Sequence, residues 1–116
     1  MTEKRLRAEI DYVKRNFPRF TQFVTSSGFV GFAGKLEGRQ RTYEVVIKAD
    51  ASTYPASEPL TFMEPKPEQE HWIPQNNTPM KKRHLCYQRK EKPWNPATST
   101  FANCILIAAR YIRDFD

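Results

Sequence analysis

From Pro65 to Pro96 the chain carries six prolines and no sustained hydrophobic period. This segment constrains the fold more than any other feature. Proline fixes φ and removes a backbone donor, so neither a long helix nor a central strand runs through such a stretch. In a chain of 116 residues, regular structure is then expected mainly before the segment and in the short run after it. That length supports one modest core, and a single domain over residues 1–116 is expected. A long irregular segment inside a compact domain is uncommon unless it carries function. Trp72 and Trp94 lie within it and a periodic run follows it. It therefore reads as a loop packed on the body rather than a tail.

The flanks are legible. In "TEKRLRAEIDYVKRNF", Leu6, Ile10, Val13 and Phe17 recur at helical spacing, Thr2 is placed to cap, and Pro18 stops the helix. Lys4, Arg5 and Arg7 fall off this stripe and are expected to face solvent or a partner. "RFTQFVT", "GFVGFAGKLE" and "RTYEVVIKA" read as strands, the last alternating through Tyr43, Val45 and Ile47. "LTFME" is a fourth, after the turn "YPASEP". Short links, one a Ser-Ser-Gly turn and one "EGRQ", favour an antiparallel meander. In "TSTFANCILIAARYIRDF", Phe101, Ile105, Ala108 and Ile112 form the core stripe of a closing helix capped by Thr98 or Ser99. The expected class is α+β: a helix, a four-stranded antiparallel meander, a long loop and a second helix, with both helices on one face.

Charge is uneven. Residues 81–92 carry six basic side chains against Glu91, residues 1–20 carry six against three acids, and residues 51–80 are net acidic. A local basic patch attracts nucleic acid, phosphate or acidic protein surfaces, and it is equally what a solvated loop looks like. No run of 18 apolar residues occurs, and the first 20 residues interleave charge with apolar side chains. A soluble, cytoplasmic, non-membrane protein is therefore expected. Four glycines leave little material for a phosphate-cradling loop. The two cysteines match no zinc or redox spacing and neither histidine stands at ligand distance, so no metal or cofactor is expected.

The cysteines differ in kind. Cys104 lies beside Ile105 on the core stripe, where a thiol stays protonated and inert. Cys86 sits in "KKRHLCYQRK" among cations, which favour the thiolate and lower a pKa of about 8.5. His84 is two residues away, so in an extended segment the two side chains share a face. A Cys–His hydrolase pair needs a third group to orient the imidazole, and the sequence identifies none.

Several pieces occur in a telling order: a basic helix, a meander, Tyr54-Pro55 with Pro59, a long loop ending in "HLCY", "WNP" eight residues beyond Cys86, and a closing helix. In this the chain resembles the ubiquitin-conjugating enzyme family over nearly its whole length, as a minimal, divergent version without the two further C-terminal helices. The resemblance implies that Cys86 accepts an acyl group as a thioester from an activating enzyme. The cargo is a ubiquitin-like modifier or another protein with an exposed C-terminal tail, and the acceptor is an amine on a target protein. It implies a bacterial setting, with antiviral defence as one context, and a docking role for Lys4, Arg5 and Arg7 on the first helix. The family's His-Pro-Asn, whose asparagine donates to the oxyanion, is missing. Asn77 lies near the expected position and His84 lies nearer the sulfur, so both are candidate donors, with His84 the preferred one. Trp94 and Tyr54 are expected to be core aromatics that pin the loop.

Two other readings compete with this one. A catalytically inactive relative would be a binding module that keeps the fold, although such relatives commonly lack the cysteine. A basic nucleic-acid-binding domain would use residues 81–92 and would be indifferent to Cys86.

Overall fold

The computed structural model describes residues 3–64, 72–74, 83–85 and 94–115. Helix α1 spans Glu3–Asn16. Strands β1 (Thr21–Val24), β2 (Phe29–Glu37), β3 (Thr42–Asp50) and β4 (Leu60–Glu64) follow. Two short strands, β5 (Trp72–Pro74) and β6 (Arg83–Leu85), precede helix α2 (Phe101–Phe115). The architecture is α+β, with β1 to β4 in sequence order and every neighbouring pair antiparallel.

Alternation decides which face is buried. On β3, Tyr43, Val45, Ile47 and Ala49 are buried while Thr42, Glu44 and Asp50 are exposed. Register carries the same face across the sheet: Val30 opposes Ala49, Phe32 opposes Ile47, and Met63 opposes Val45. Both helices pack on this one face. α2 lies over β2 and β3 and touches α1. Its Phe101, Cys104, Ile105, Ala108 and Ile112 are buried as the stripe predicts, and Tyr111 joins them. Of the α1 stripe only Val13 is fully buried; Leu6, Ile10 and Phe17 sit at the core's margin. Cys104 is 1% exposed, which agrees with its reading as a small core residue.

Turn chemistry fixes the connections. Between β1 and β2, Gly28 adopts φ of +90°, a conformation that a β-carbon disfavours. Thr25 closes this turn with its hydroxyl on the Phe29 amide. Gly34 has a different role: a β-carbon there would lie 2.7 Å from the Arg19 carbonyl and 2.8 Å from the Phe20 ring. After β3, the Asp50 carboxylate accepts from the Ser52 amide and hydroxyl, which hold it below the usual carboxylate range. The Asp50 carbonyl accepts from the Tyr54 amide, and this places the Tyr54 ring against the core.

Two sequence expectations need correction. The α2 cap is Thr100, not Thr98 or Ser99. Thr100 and Asn103 exchange hydrogen bonds in a capping box, while the Ser99 hydroxyl is used on the Asn95 amide. Regular structure also does not stop between Pro65 and Pro96: β5 and β6 pair, with Trp72 opposite Leu85 and Ile73 opposite His84. Strands of three residues are too short to show an alternation. The expected Thr2 cap lies outside the described residues, and α1 ends at Asn16, before Pro18.

Candidate functional site

Cys86, Asn77 and His71, with most of the 81–92 patch, lie outside the described residues. His84 is placed by its backbone in β6, opposite Ile73, and Cys86 follows directly on that strand in sequence. β6 lies close to β4, so the candidate loop returns to the sheet's β4 edge. The described residues on either side of this stretch of sequence form a frame of their own.

That frame is built on Tyr54 and Trp94. Trp94 Nε1 donates to the Pro55 carbonyl at 2.7 Å, across a cis Tyr54–Pro55 peptide bond's own turn. The Tyr54 ring is fully buried between Trp94, at a centroid distance of 5.9 Å, and Phe101, at 4.7 Å. Tyr54 is thus a core aromatic as expected, and Trp94 packs partly buried against the same core. Trp94 is thereby fastened to the turn that precedes β4.

Beneath these rings is a polar hub that the sequence did not disclose. Glu9, on α1, is 6% exposed. Its carboxylate accepts from Tyr54 OH at 2.7 and 2.8 Å, from the Phe101 amide at 2.9 Å, and from Arg5 Nε at 3.0 Å. Phe101 is the first residue of α2, so Glu9 satisfies one of that helix's unpaired amides and lies at the positive end of its dipole. A buried carboxylate is tolerable only with partners of this kind. Burial pushes the Tyr54 phenol far above its ordinary value, and the adjacent Glu9 charge adds to the shift.

Arg5 completes the hub. Its Nη1 donates to the Pro96 carbonyl and its Nη2 to the Ser99 carbonyl at 2.5 Å. Its guanidinium lies 5.5 Å from the Tyr54 ring centroid. Burial alone would lower its pKa, but Glu9 and Tyr54 outweigh that and raise it. The helical wheel placed Arg5 outward with Lys4 and Arg7. In the structure Lys4 and Arg7 are exposed, whereas Arg5 is only 24% exposed and straps α1 to residues 96–99. The signal in the sequence was the Arg5–Glu9 spacing of four, but an exposed ion pair shares that spacing. Nothing in the sequence linked Glu9 to Tyr54, 45 positions away.

Among the described residues, no group of three or more His, Cys, Asp or Glu side chains could hold a metal, and no helix is long and apolar enough to cross a membrane. Comparison with protein-family models, with curated proteins and with solved structures gives no match in any of the three.

Proposed function

We propose that the chain is a minimal thioester-forming acyl carrier of the ubiquitin-conjugating type, with Cys86 as the nucleophile. The observation that supports this most is the join between two pieces far apart in sequence. The Tyr54-Pro55 turn and Trp94 meet through a hydrogen bond and ring contact, and Cys86 lies on the chain that this join closes. A helix, a four-strand meander and a second helix on one face are compatible with such a carrier.

The chemistry runs in two steps. The Cys86 thiolate attacks the carbonyl of a modifier thioester on an activating enzyme; the new C–S bond forms and the donor thiolate leaves. A target amine then attacks the Cys86 thioester. The tetrahedral oxyanion collapses to an amide, the Cys86 thiolate leaves, and the amine proton passes to solvent. A fixed donor to that oxyanion lowers the second barrier by about 3 kcal/mol, and His84 or Asn77 is assigned this role. Lys4 and Arg7, with Arg5 behind them, offer a basic first helix to an activating enzyme with an acidic surface. The bacterial and antiviral setting belongs to the same proposal.

The test is formation of an adduct. With an activating enzyme, ATP and a modifier, wild-type protein forms a thiol-sensitive adduct, Cys86→Ala forms none, and Cys104→Ala still forms it. An adduct that persists in Cys86→Ala removes this mechanism. Nucleic-acid binding that falls steeply with salt and ignores Cys86→Ala supports the basic-domain reading instead.

A further inference from the structure

We infer that the groove between α1 and α2 is a docking site for an acidic amphipathic helix of a partner protein. This inference does not rest on the Cys86 chemistry, although Lys4 belongs to both proposals.

The groove has a volume of about 430 Å³ and is lined by α1 on one side and by residues 97–106 on the other. Ala8, Tyr12, Ala97, Ala102 and Leu106 give it an apolar lining, with Asn103 as a polar member. Tyr12 and Leu106 are 54% and 53% exposed, two of the three large apolar side chains left exposed among the described residues. That both fall in one groove separates them from the scattered surface hydrophobes that need no explanation. The Arg5–Glu9 pair at the groove's wall is neutral as a unit and is engaged with the hub.

The occupant follows from the rim. Of the six exposed basic residues among the described side chains of the two helices, Lys4, Arg15, Arg110 and Arg113 fall on the groove side of the helical wheels, and Arg7 and Lys14 fall on the other side. Asp11 is the one exposed acid. Lys4 and Arg15 flank Ala8 and Tyr12 on the α1 wheel, and Arg110 and Arg113 continue the Asn103–Leu106 stripe of α2. An apolar floor with a basic rim complements a helix that presents apolar residues at three- and four-residue intervals between acidic flanks. The lining on α1 runs from Arg5 to Tyr12, about 11 Å, so a helix laid along it engages the groove over roughly two turns. A second copy of this chain would bring two positive rims together. A nucleic acid would set phosphates against Tyr12 and Leu106.

The test uses the full chain and two synthetic helical peptides of about 15 residues. They share leucines at the same three- and four-residue intervals, and the remaining positions are glutamate and alanine in one and lysine and alanine in the other. Amide chemical shifts are followed on titration. The acidic peptide is expected to move Ala8, Tyr12, Asn103 and Leu106. Its affinity should drop about tenfold or more in about 1 M salt, where charge acts over about 3 Å. Leu106→Asp and Arg110→Glu, both at exposed positions, should each weaken it at least about tenfold with the unfolding midpoint unchanged. The lysine peptide should leave these amides in place. The inference is overturned if the acidic peptide binds no tighter than about 1 mM, if both peptides bind alike, or if Leu106→Asp has no effect. It is also overturned if the shifts are produced by single-stranded DNA, or by self-association that Leu106→Asp abolishes.

Discussion

Replacing Glu9 tests the frame directly. Glu9→Ala removes the shared acceptor of three donors: Tyr54 OH, the Phe101 amide and Arg5 Nε. The first two are buried, and water does not replace the carboxylate without opening the seam between the helices. A single hydrogen bond to a charged group contributes about 1.5–3 kcal/mol, and such bonds to one acceptor do not add. Breaking a buried ion pair by removing one partner costs about 3–5 kcal/mol. Arg5 keeps some solvent contact and two carbonyl partners, so it is not stranded. That places Glu9→Ala near the lower end, about 3 kcal/mol, against a typical total of about 5–15 kcal/mol for a domain. Glu9→Gln retains the shape and one acceptor oxygen but turns an NH₂ toward a donor, and about 1–2 kcal/mol is expected.

Urea unfolding followed by tryptophan fluorescence and far-ultraviolet circular dichroism measures both, provided the denaturant slope is unchanged. A double-mutant cycle with Arg5→Gln isolates the pair and should give a coupling of about 1–2 kcal/mol, between exposed and fully buried pairs. A Glu9→Ala loss below about 1 kcal/mol, the level of a surface pair, would refute the claim that this carboxylate holds the two helices and the Tyr54 turn together.

Three further perturbations follow from the same geometry and chemistry. Tyr54 keeps its proton in the folded state well above the unfolded value of about 10, so stability is lost as pH rises past 10, by about 1.4 kcal/mol per pH unit from this group; Tyr54→Phe should flatten that alkaline limb, and an unchanged limb sinks the argument. Gly34→Ala sets a β-carbon against the Arg19 carbonyl and the Phe20 ring and should cost about 1–3 kcal/mol in chemical denaturation; a neutral result means β2 and the 19–20 segment yield freely. At the proposed centre, His84→Ala should slow transfer to amine about tenfold or more while thioester formation is nearly retained, as expected for loss of an oxyanion donor, and single-turnover assays of the two steps would expose an equal loss in both as a folding effect.

The fold was legible where a period had room to repeat. The stripe Phe101, Ile105, Ala108, Ile112 and the alternation Tyr43, Val45, Ile47 each span several turns or pleats, and each maps onto buried residues. The capping residue of α2 was misread because Thr98, Ser99 and Thr100 offer equivalent hydroxyls; Asn103 breaks the tie by its position three residues beyond Thr100. β5 and β6 escaped notice because three residues make only one and a half pleats. Glu9 was illegible for a deeper reason. A carboxylate on a helix is ordinarily solvated, and its burial here depends on where the Tyr54 turn and the first amide of α2 arrive in space. Those arrivals are consequences of the whole fold.

This bears on how the basic first helix can be tested as a docking face. Lys4, Arg5 and Arg7 look equivalent in sequence, yet Arg5 is held by Glu9, Pro96 and Ser99. A charge reversal at Arg5 leaves Glu9 facing a like charge and cuts α1 from residues 96–99, close in sequence to Trp94. Lost activity in Arg5→Glu would therefore report the strap as readily as a partner. Lys4→Glu and Arg7→Glu sit at exposed positions and change the surface field with less effect on the hub. If the first helix docks an activating enzyme by charge, these two should slow charging of Cys86 in a salt-dependent way and leave the urea midpoint in place. If instead only Arg5→Glu slows charging, and its urea midpoint falls with it, the helix acts on the loop through the strap and its exposed charge is not what a partner reads.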